Sequence, residues 1–300
     1  MSMLPEAGAW GTQAPVPRDV ASPSQPDVAS PTPPDVASPA PAVHTVLDLL
    51  ELAETEPDVY QASLVYDDDQ YVLYGGQVAA QALLAAGRTV PQERLPHSLH
   101  GYFLRGGSSA RPTVFRVERD RDGRSFSARR VVALQDGAVI FTMSASFSVA
   151  EAGVDVEAGP DPELPPPARL PDLPLHRLLS FEGRLPPQVR PGPDDLPTRL
   201  WARCTARLPD SPLLHACVLT YLSDFSTGLA LLEDDTSATG ASLDHAVWFH
   251  RDIRMDDWVL MELAPHTAAG ARGWYTGSVH RSDGVRVASL AQEALFRKRR

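Results

Sequence analysis

The segment Tyr102-Phe103-Leu104-Arg105 is echoed, about one domain length later, by Trp248-Phe249-His250-Arg251. An apolar stretch with helical periodicity precedes each segment, over residues 75–90 in the first copy and 213–232 in the second. Alternating strands joined by Asp-Gly turns follow each segment. The echo indicates two copies of one unit. We predict an α+β fold in which each unit wraps a curved antiparallel sheet around its own helix.

The strand predictions follow from alternation of apolar and polar residues. The first unit is predicted to contain strands at 98–104, 113–120, 125–135 and 138–149. The second is predicted to contain strands at 199–207, 242–250, 258–264, 272–280 and 285–296. Before these, a short helix at 44–50 is capped by Thr45, and a strand at 61–73 includes the acidic turn Asp67-Asp68-Asp69.

Changes in composition divide the chain. Residues 1–43 repeat Asp-Val-Ala-Ser-Pro from Asp19, Asp27 and Asp35, and we predict a disordered Pro-rich tail. It is either a tether that docks a partner or a tolerated expansion of a repeat. We expect an N-terminal unit at 44–150, a Pro-rich linker at 151–174 and a C-terminal unit at 175–300.

The bulk composition fits two joined units. The 300 residues are 43% hydrophobic, and the usual size of a domain favours two cores. A formal net charge of -11 repels phosphates, which argues against nucleic acid as a partner. No apolar run reaches the about 18–20 residues of a membrane helix, and Cys204 and Cys217 match no redox or zinc motif. We expect a cytoplasmic protein with reduced thiols and no stable membrane insertion.

Several motifs resemble those of a known family. The first half carries Tyr74-Gly75-Gly76-Gln77, HSLHGYFLR at 97–105 and DGRSFSARR at 122–130, and the second half carries DHAVWFH at 244–250 and VASLAQE at 287–293. In this order, over residues 44–298, they resemble the type II (TesB-like) acyl-CoA thioesterases. The resemblance implies a double hotdog, which is two fused units that each cradle a long helix in an antiparallel sheet. It also implies hydrolysis of acyl-CoA to fatty acid and CoA with no metal or organic cofactor, in a homo-oligomer.

The resemblance also implies a set of catalytic residues. In the family, an Asp, a Ser or Thr, and a Gln hold the attacking water, and they match Asp224, Ser242 and Gln292. A thioester carbonyl is electrophilic and thiolate leaves readily, so the main task is to place and activate one water. Asp224 would accept the water's proton, while the Ser242 hydroxyl and the Gln292 amide orient the water. A buried amide in an apolar strand also requires a specific partner.

The start of the first predicted helix is a candidate for stabilising the oxyanion of the transition state. Backbone N–H groups at a helix N-terminus point outward with a favourable dipole. Within Gly75-Gly76-Gln77, we take Gly76 and Gln77 as the candidates. Tight packing of the helix against the sheet through small residues is the alternative interpretation.

The nucleotide of CoA carries several negative charges, which clustered arginines could bind. The candidates form a pool of Arg105, Arg124, Arg129 and Arg130. Strand alternation places Arg129 and Arg130 on opposite faces, so both cannot line one pocket. A solvated strand face is the alternative interpretation for each.

Other functions have weaker sequence support. No Gly-x-Ser-x-Gly motif is present, so a Ser-His-Asp nucleophile lacks its usual signature. His245 and His250 have neither an HExxH motif nor a cysteine set beside them, which favours structural histidines over a metal site. The alternatives kept open are a hotdog enoyl-CoA hydratase, whose paired Asp and His are not found, and a non-catalytic acyl-CoA-binding protein.

Overall fold

The fold is seen in a computed structural model whose described residues are 44–62, 73–157, 165–188, 197–234 and 236–298. The repeat tail at 1–43 and the turn Asp67-Asp68-Asp69 lie outside these ranges, so the expectations for both stay predictions. Within the described ranges, no helix is long and apolar enough to cross a membrane.

Strands dominate the described part of the chain. The α-helices found there are α1 (Val46–Leu49), α2 (Gly75–Gly87) and α3 (Pro212–Ser223), and 3-10 helices lie at Pro167–Arg169 and Gly228–Leu232. The strands of the first half are β1 (Leu52–Glu56), β2 (Val59–Ala62), β3 (Arg94–Phe103), β4 (Val114–Asp122), β5 (Phe126–Gln135) and β6 (Ala138–Val149). Those of the second half are β7 (Asp172–Leu173), β8 (Phe181–Arg184), β9 (Arg199–Cys204), β10 (Ser237–Ser242), β11 (Asp244–Phe249), β12 (Val259–Ala269), β13 (Arg272–Arg281) and β14 (Arg286–Lys298).

These strands form one antiparallel sheet with a repeated order. The order is β1-β2-β4-β5-β6-β3-β11-β14-β13-β12-β9-β8-β7, and β10 pairs with β14 outside this path. The run β2-β4-β5-β6-β3 of the first half reappears in the second half as β9-β12-β13-β14-β11. The sheet therefore repeats the duplication that the sequence echo predicts.

The two halves meet at the pairing of β3 with β11, which we call the seam. Its register places His100 opposite Ala246. The sequence echo equates Tyr102 with Trp248, and the same shift along the chain equates His100 with Ala246. Because these two equivalent residues also face each other across the seam, an approximate two-fold axis passes between them. The echoed strands are the ones that join the halves.

Helix α2 lies at the centre of the first half. Every residue from Gly76 to Gly87 is buried, and the helix contacts β3, β4, β5 and β6. Its alanines, glycines and leucines suit a helix that has protein on all sides. The rings of Phe115, Phe141 and Phe147 are also fully buried in this core.

Helices α2 and α3 pack so closely that glycine is required at the contact. A Cβ on Gly87 would lie 2.5 Å from the Leu213 side chain, and a Cβ on Gly76 would lie 2.6 Å from the Tyr221 carbonyl oxygen. The start of α2 therefore lies beside the end of α3, and the helices are antiparallel. The Tyr74 hydroxyl donates a hydrogen bond to the same Tyr221 carbonyl at 2.8 Å. This hydrogen bond ties the N-terminus of α2 to the C-terminus of α3, and both ends lie at the candidate site.

The helix predicted at 213–232 is wrong in its length. Helix α3 ends at Ser223, and the 3-10 helix Gly228–Leu232 follows after a break. Thr227 caps the second piece by accepting a hydrogen bond from the Leu229 N–H. Apolar residues continue through both pieces, which is why periodicity alone predicted one helix. The break leaves Asp224 at the end of α3.

Two further boundaries differ from prediction. The strand predicted at 242–250 is divided between β10 and β11 at Leu243. The predicted linker at 151–174 contains β7, which pairs with β8 at the edge of the sheet. The division into units at 44–150 and 175–300 stays a prediction.

The local predictions for Thr45 and the cysteines are confirmed. Thr45 caps α1 by accepting from the Asp48 N–H. Cys204 and Cys217 are buried and free. Burial raises the pKa of both thiols, that of Cys204 to about 11, so neither is a reactive thiolate near neutral pH.

The packing of β3 against β6 predicts a strong effect of added volume at Gly101 on β3. A Cβ there would lie 2.2 Å from the Phe141 ring and 3.0 Å from the Thr142 carbonyl oxygen. We expect Gly101→Ala to lower the free energy of unfolding by about 1–3 kcal/mol, because ring or strand must shift. Urea unfolding measures this change.

Gly153→Ala is the matched control, because nothing lies within 4 Å of a Cβ at that position. We expect its free energy of unfolding to stay within about 0.5 kcal/mol of the parent. Equal losses in the two variants would contradict the close packing at Gly101.

Candidate active site

The three residues predicted to hold water lie together, although they come from different elements. Asp224 follows α3, Ser242 ends β10 and Gln292 lies on β14. The Gln292 Nε2 donates to Asp224 Oδ1 at 3.0 Å and to Ser242 Oγ at 2.5 Å. Ser242 Oγ lies 3.5 Å from Asp224 Oδ1, which is long for a hydrogen bond. A carboxylate, a hydroxyl and an amide therefore meet in one cluster.

The end of α3 sets the position of Asp224. The Ser223 hydroxyl donates to the Thr220 carbonyl at 2.9 Å. Asp224 then leaves helical geometry, with φ -98° and ψ 10°, and the Phe225 N–H closes the turn on the Leu222 carbonyl at 2.9 Å. The residue lies where the helix stops, so its side chain is not held in a helical row.

The N-terminus of α2 contacts the same carboxylate. A Cβ on Gly75 would lie 2.7 Å from Asp224 Oδ2, so this approach needs glycine. The Gly76 backbone N–H also acts on the Asp224 carboxylate, whose pKa it lowers. The helix dipole also favours negative charge at this end. Gly75 thus leaves space for the carboxylate, and Gly76 lowers its pKa.

These contacts bear on the oxyanion candidates Gly76 and Gln77. The Gly76 N–H lowers the pKa of the Asp224 carboxyl, and the Gln77 N–H donates to the Tyr74 carbonyl at 3.1 Å. The close approach of Gly76 to the Tyr221 carbonyl packs α2 against α3, so at this position the small residue serves a helix–helix contact and not the helix–sheet packing of the alternative interpretation. A role for Gly76 and Gln77 in oxyanion binding stays a prediction.

Burial raises the pKa of the Asp224 carboxyl above its ordinary value of 3.8, because desolvation disfavours the charged form. Four neighbours lower the pKa of Asp224 and so act against this effect. They are His245 and Arg177, through charge, and Gln292 and the Gly76 N–H, through hydrogen bonding. A raised pKa makes the carboxylate a better proton acceptor. Part of the Asp224 surface remains accessible, so the carboxylate suits a general base that reaches water.

A fourth side chain, His245, joins the cluster. It is fully buried on β11, its Nδ1 is hydrogen-bonded to Gln292 Oε1, and its Nε2 lies 2.7 Å from Ser223 Oγ. The sequence favoured a structural histidine here and did not connect it with Gln292. Strand alternation was the available signal, because His245 and Gln292 occupy buried positions on two strands that proved to be neighbours.

The other polar residues of the DHAVWFH motif serve the sheet. Asp244 Oδ1 accepts from the Glu293 N–H at 2.6 Å, and its Oδ2 lies 3.1 Å from His100 Nε2 across the seam. His250 Nε2 is hydrogen-bonded to Ser289 Oγ at 2.9 Å. Among the residues the structure describes, no group of three or more His, Cys, Asp or Glu side chains could hold a metal ion.

One of the four arginines proposed to bind CoA, Arg129, lies in the core. Arg129 is only 1% exposed, and it donates to the Thr89 carbonyl at 3.0 Å and to Asp122 Oδ1 at 2.7 Å. Its candidacy for CoA is therefore wrong, since its donors are used within the core. Arg130 is exposed, which confirms that the two side chains take opposite faces. Arg124 lines an open surface pocket that also includes His97, Arg121 and Phe126.

The family is decided by comparison with known proteins. The model for the acyl-CoA thioesterase N-terminal domain matches residues 66–148, and the model for the C-terminal domain matches residues 155–296. The chain belongs to the acyl-CoA thioesterase family. Acyl-coenzyme A thioesterase 8 of Homo sapiens is 35% identical over 258 residues, which cover 75% of this chain and 80% of that protein.

Solved structures agree with this family. Acyl-CoA thioesterase II of Mycobacterium marinum is 38% identical and superposes with a TM-score of 0.73. The match covers 85% of this chain and 99% of that chain. A protein of Alicyclobacillus acidocaldarius described as having a hot dog fold has a TM-score of 0.68 at 21% identity and covers 86% and 99% of the two chains. The expected hotdog fold is confirmed, and the repeated strand order accounts for its two copies.

The raised pKa of Asp224 predicts an effect on stability. The folded chain holds this proton more tightly than the unfolded chain, whose carboxyl has the ordinary value of 3.8. The protonated Asp224 carboxyl therefore makes its full contribution to stability below pH 3.8, and this contribution is lost as pH rises through the raised pKa of the folded chain. We expect Asp224→Asn, which cannot ionise, to unfold at a higher temperature than the parent at about pH 7, with the difference shrinking toward about pH 4.

Asp58→Asn is a control of opposite sign. A hydrogen bond from Arg119 lowers the pKa of Asp58, so that contribution is present at neutral pH and is lost as pH falls. We expect this variant to be less stable than the parent at neutral pH. Thermal unfolding across the same pH range measures both, and a parallel response of the two variants would contradict the burial of charge at Asp224.

Proposed function

We propose that this chain hydrolyses acyl-CoA thioesters to a fatty acid and CoA with a water molecule held by Asp224, Ser242 and Gln292. The observation that carries the proposal is the contact among these three side chains within a chain of the acyl-CoA thioesterase family. Family membership supports the acyl-CoA substrate, and the buried carboxylate supports activation of water.

The reaction needs one base and one well-placed water. Asp224 takes a proton from the water as its oxygen attacks the thioester carbonyl carbon. The C–S bond then breaks, the electron pair leaves with sulfur, and the proton held by Asp224 passes to the thiolate. Water and thioester therefore become carboxylic acid and thiol, and the carboxylate is restored.

The hydrogen bonds suggest separate tasks for Ser242 and Gln292. Both amide hydrogens of Gln292 point to the other two side chains, so the amide holds Asp224 and Ser242 in fixed relation. The Ser242 hydroxyl accepts from this amide and is only weakly engaged with Asp224. Its own hydrogen is therefore available to the water that Asp224 deprotonates.

Several finer assignments belong to the same proposal. We keep Gly76 and Gln77 at the α2 N-terminus as the proposed place of the oxyanion; the support is the helix dipole, which favours negative charge there, because the Gln77 N–H itself already donates to the Tyr74 carbonyl. Burial of α2 on every side supports a sheet that wraps around each helix. The exposed rings of Tyr102 and Trp248 at the seam support association into a homo-oligomer. We also keep the cytoplasm as the proposed compartment.

The test is release of free CoA from short, medium and long acyl-CoAs. We expect Asp224→Asn to lower kcat by about 10²–10⁴-fold, because the general base is lost. Gln292→Ala should also lose activity, because it releases the carboxylate and the hydroxyl. Asp210→Asn is the control, since this exposed carboxylate pairs with Arg254 at the surface, and its rate should equal that of the parent.

The outcomes separate the candidate functions. Parent-like rates in both site variants, with folding intact, would contradict the proposed water site. A parent that binds acyl-CoA without releasing CoA would favour the binding-protein alternative. Addition of water to an enoyl-CoA double bond, without CoA release, would favour the hydratase.

A further inference from the structure

The Gln292 amide has one orientation that its neighbours allow. An amide offers two N–H donors on one end and only acceptor lone pairs on the other. A carboxylate only accepts, so the NH₂ end must face Asp224, where Nε2 lies 3.0 Å from Oδ1. The same NH₂ group donates to Ser242 Oγ. The Oε1 end is therefore turned toward His245.

This orientation assigns a proton to His245. Because Gln292 Oε1 can only accept, the hydrogen bond between it and His245 Nδ1 requires a hydrogen on Nδ1. The other nitrogen, Nε2, lies 2.7 Å from Ser223 Oγ, whose single hydrogen can be donated either to Nε2 or to the Thr220 carbonyl, leaving the oxygen to accept from Nε2 in the second case. Nδ1 therefore donates to Gln292 whether the ring is neutral or charged.

His245 also touches the helix end that carries the base. Its partner Ser223 is the last residue of α3 and immediately precedes Asp224. The fully buried imidazole of His245 thus contacts Gln292, which binds the Asp224 carboxylate, and Ser223, which immediately precedes Asp224. Buried polar networks of this kind are stable only when every member is satisfied.

We infer that His245 is a positioning residue, which holds the Gln292 amide through its Nδ1–H so that the NH₂ group faces Asp224 and Ser242. The inference rests on the proposed function, because the effect of His245 is on the water that Asp224, Ser242 and Gln292 are proposed to hold. Without this donor the buried Gln292 Oε1 is left unsatisfied, and the amide is no longer held in place against the carboxylate and the hydroxyl. Asp224 and Ser242 then lose their common partner, and the water loses its fixed position.

Two polar substitutions separate the roles of the two ring nitrogens. His245→Asn places an amide nitrogen on Cγ, as Nδ1 is placed, and can still donate to Gln292. His245→Gln places its amide one bond further out, near the position of Nε2, and serves Ser223 in preference to Gln292. We expect His245→Gln to lower kcat by about 10–100-fold with little change in KM, and His245→Asn to retain most of the parental kcat.

A double-mutant cycle tests whether His245 acts through Gln292. In the Gln292→Ala background, we expect His245→Gln to cause no further loss of kcat, because the amide it would misplace is absent. Equal kcat in the Asn and Gln variants, or a full additional loss in the Gln292→Ala background, would overturn the inference.

A measurement on the parent protein decides the case if the variants fail to fold. The ¹⁵N spectrum of the histidine rings, assigned through the backbone, should show a hydrogen on Nδ1 of His245. A neutral ring with its hydrogen only on Nε2 would overturn the inference. An inactive parent would refute the proposed function, whereas an active parent with normal kcat in His245→Gln would refute only the role of His245.

Discussion

The structure depends on the antiparallel pairing of β3 with β11. Strand pairing admits no gradual adjustment, because a slip of one residue would turn every side chain to the other face. The register that sets His100 opposite Ala246 therefore fixes the second half relative to the first. The sheet becomes continuous, and α2 from one half comes to lie against α3 from the other. The candidate site follows from that helix contact.

Close approach of the helices needs residues without side chains. Gly75 and Gly76 leave room for the Asp224 carboxylate and for the Tyr221 carbonyl, and Gly87 leaves room for Leu213 at the other end. The approach also removes water from around the carboxylate, which raises its pKa. A buried charge costs stability, and sites that perform proton transfer commonly accept that cost. The same packing that joins the halves thus raises the pKa of the carboxyl that we propose as the base.

The polar groups of the site form a chain in which each hydrogen bond limits the next. Ser223 contacts His245, His245 contacts Gln292, and Gln292 contacts both Asp224 and Ser242. In a poorly solvated interior, an unsatisfied donor or acceptor is costly, so such a chain has few acceptable arrangements. The fixed geometry of the proposed water site therefore comes from a network and not from one strong contact.

The sequence by itself determined the duplication and most strands, because alternation and turns are local patterns, and the trio Asp224, Ser242 and Gln292 was predicted only through the resemblance of its motifs to a known family. The strand predicted at 138–149 is β6 in full. Only the tertiary structure decided where α3 ends, that Arg129 is buried in the core, that the Asp224 carboxylate lies against Gly75, and that His245 contacts Gln292. A periodic pattern records which face is apolar, and it carries no information on which distant group a buried donor will meet. That choice is made by the strand register and by the helix contact, which bring together residues far apart in the chain.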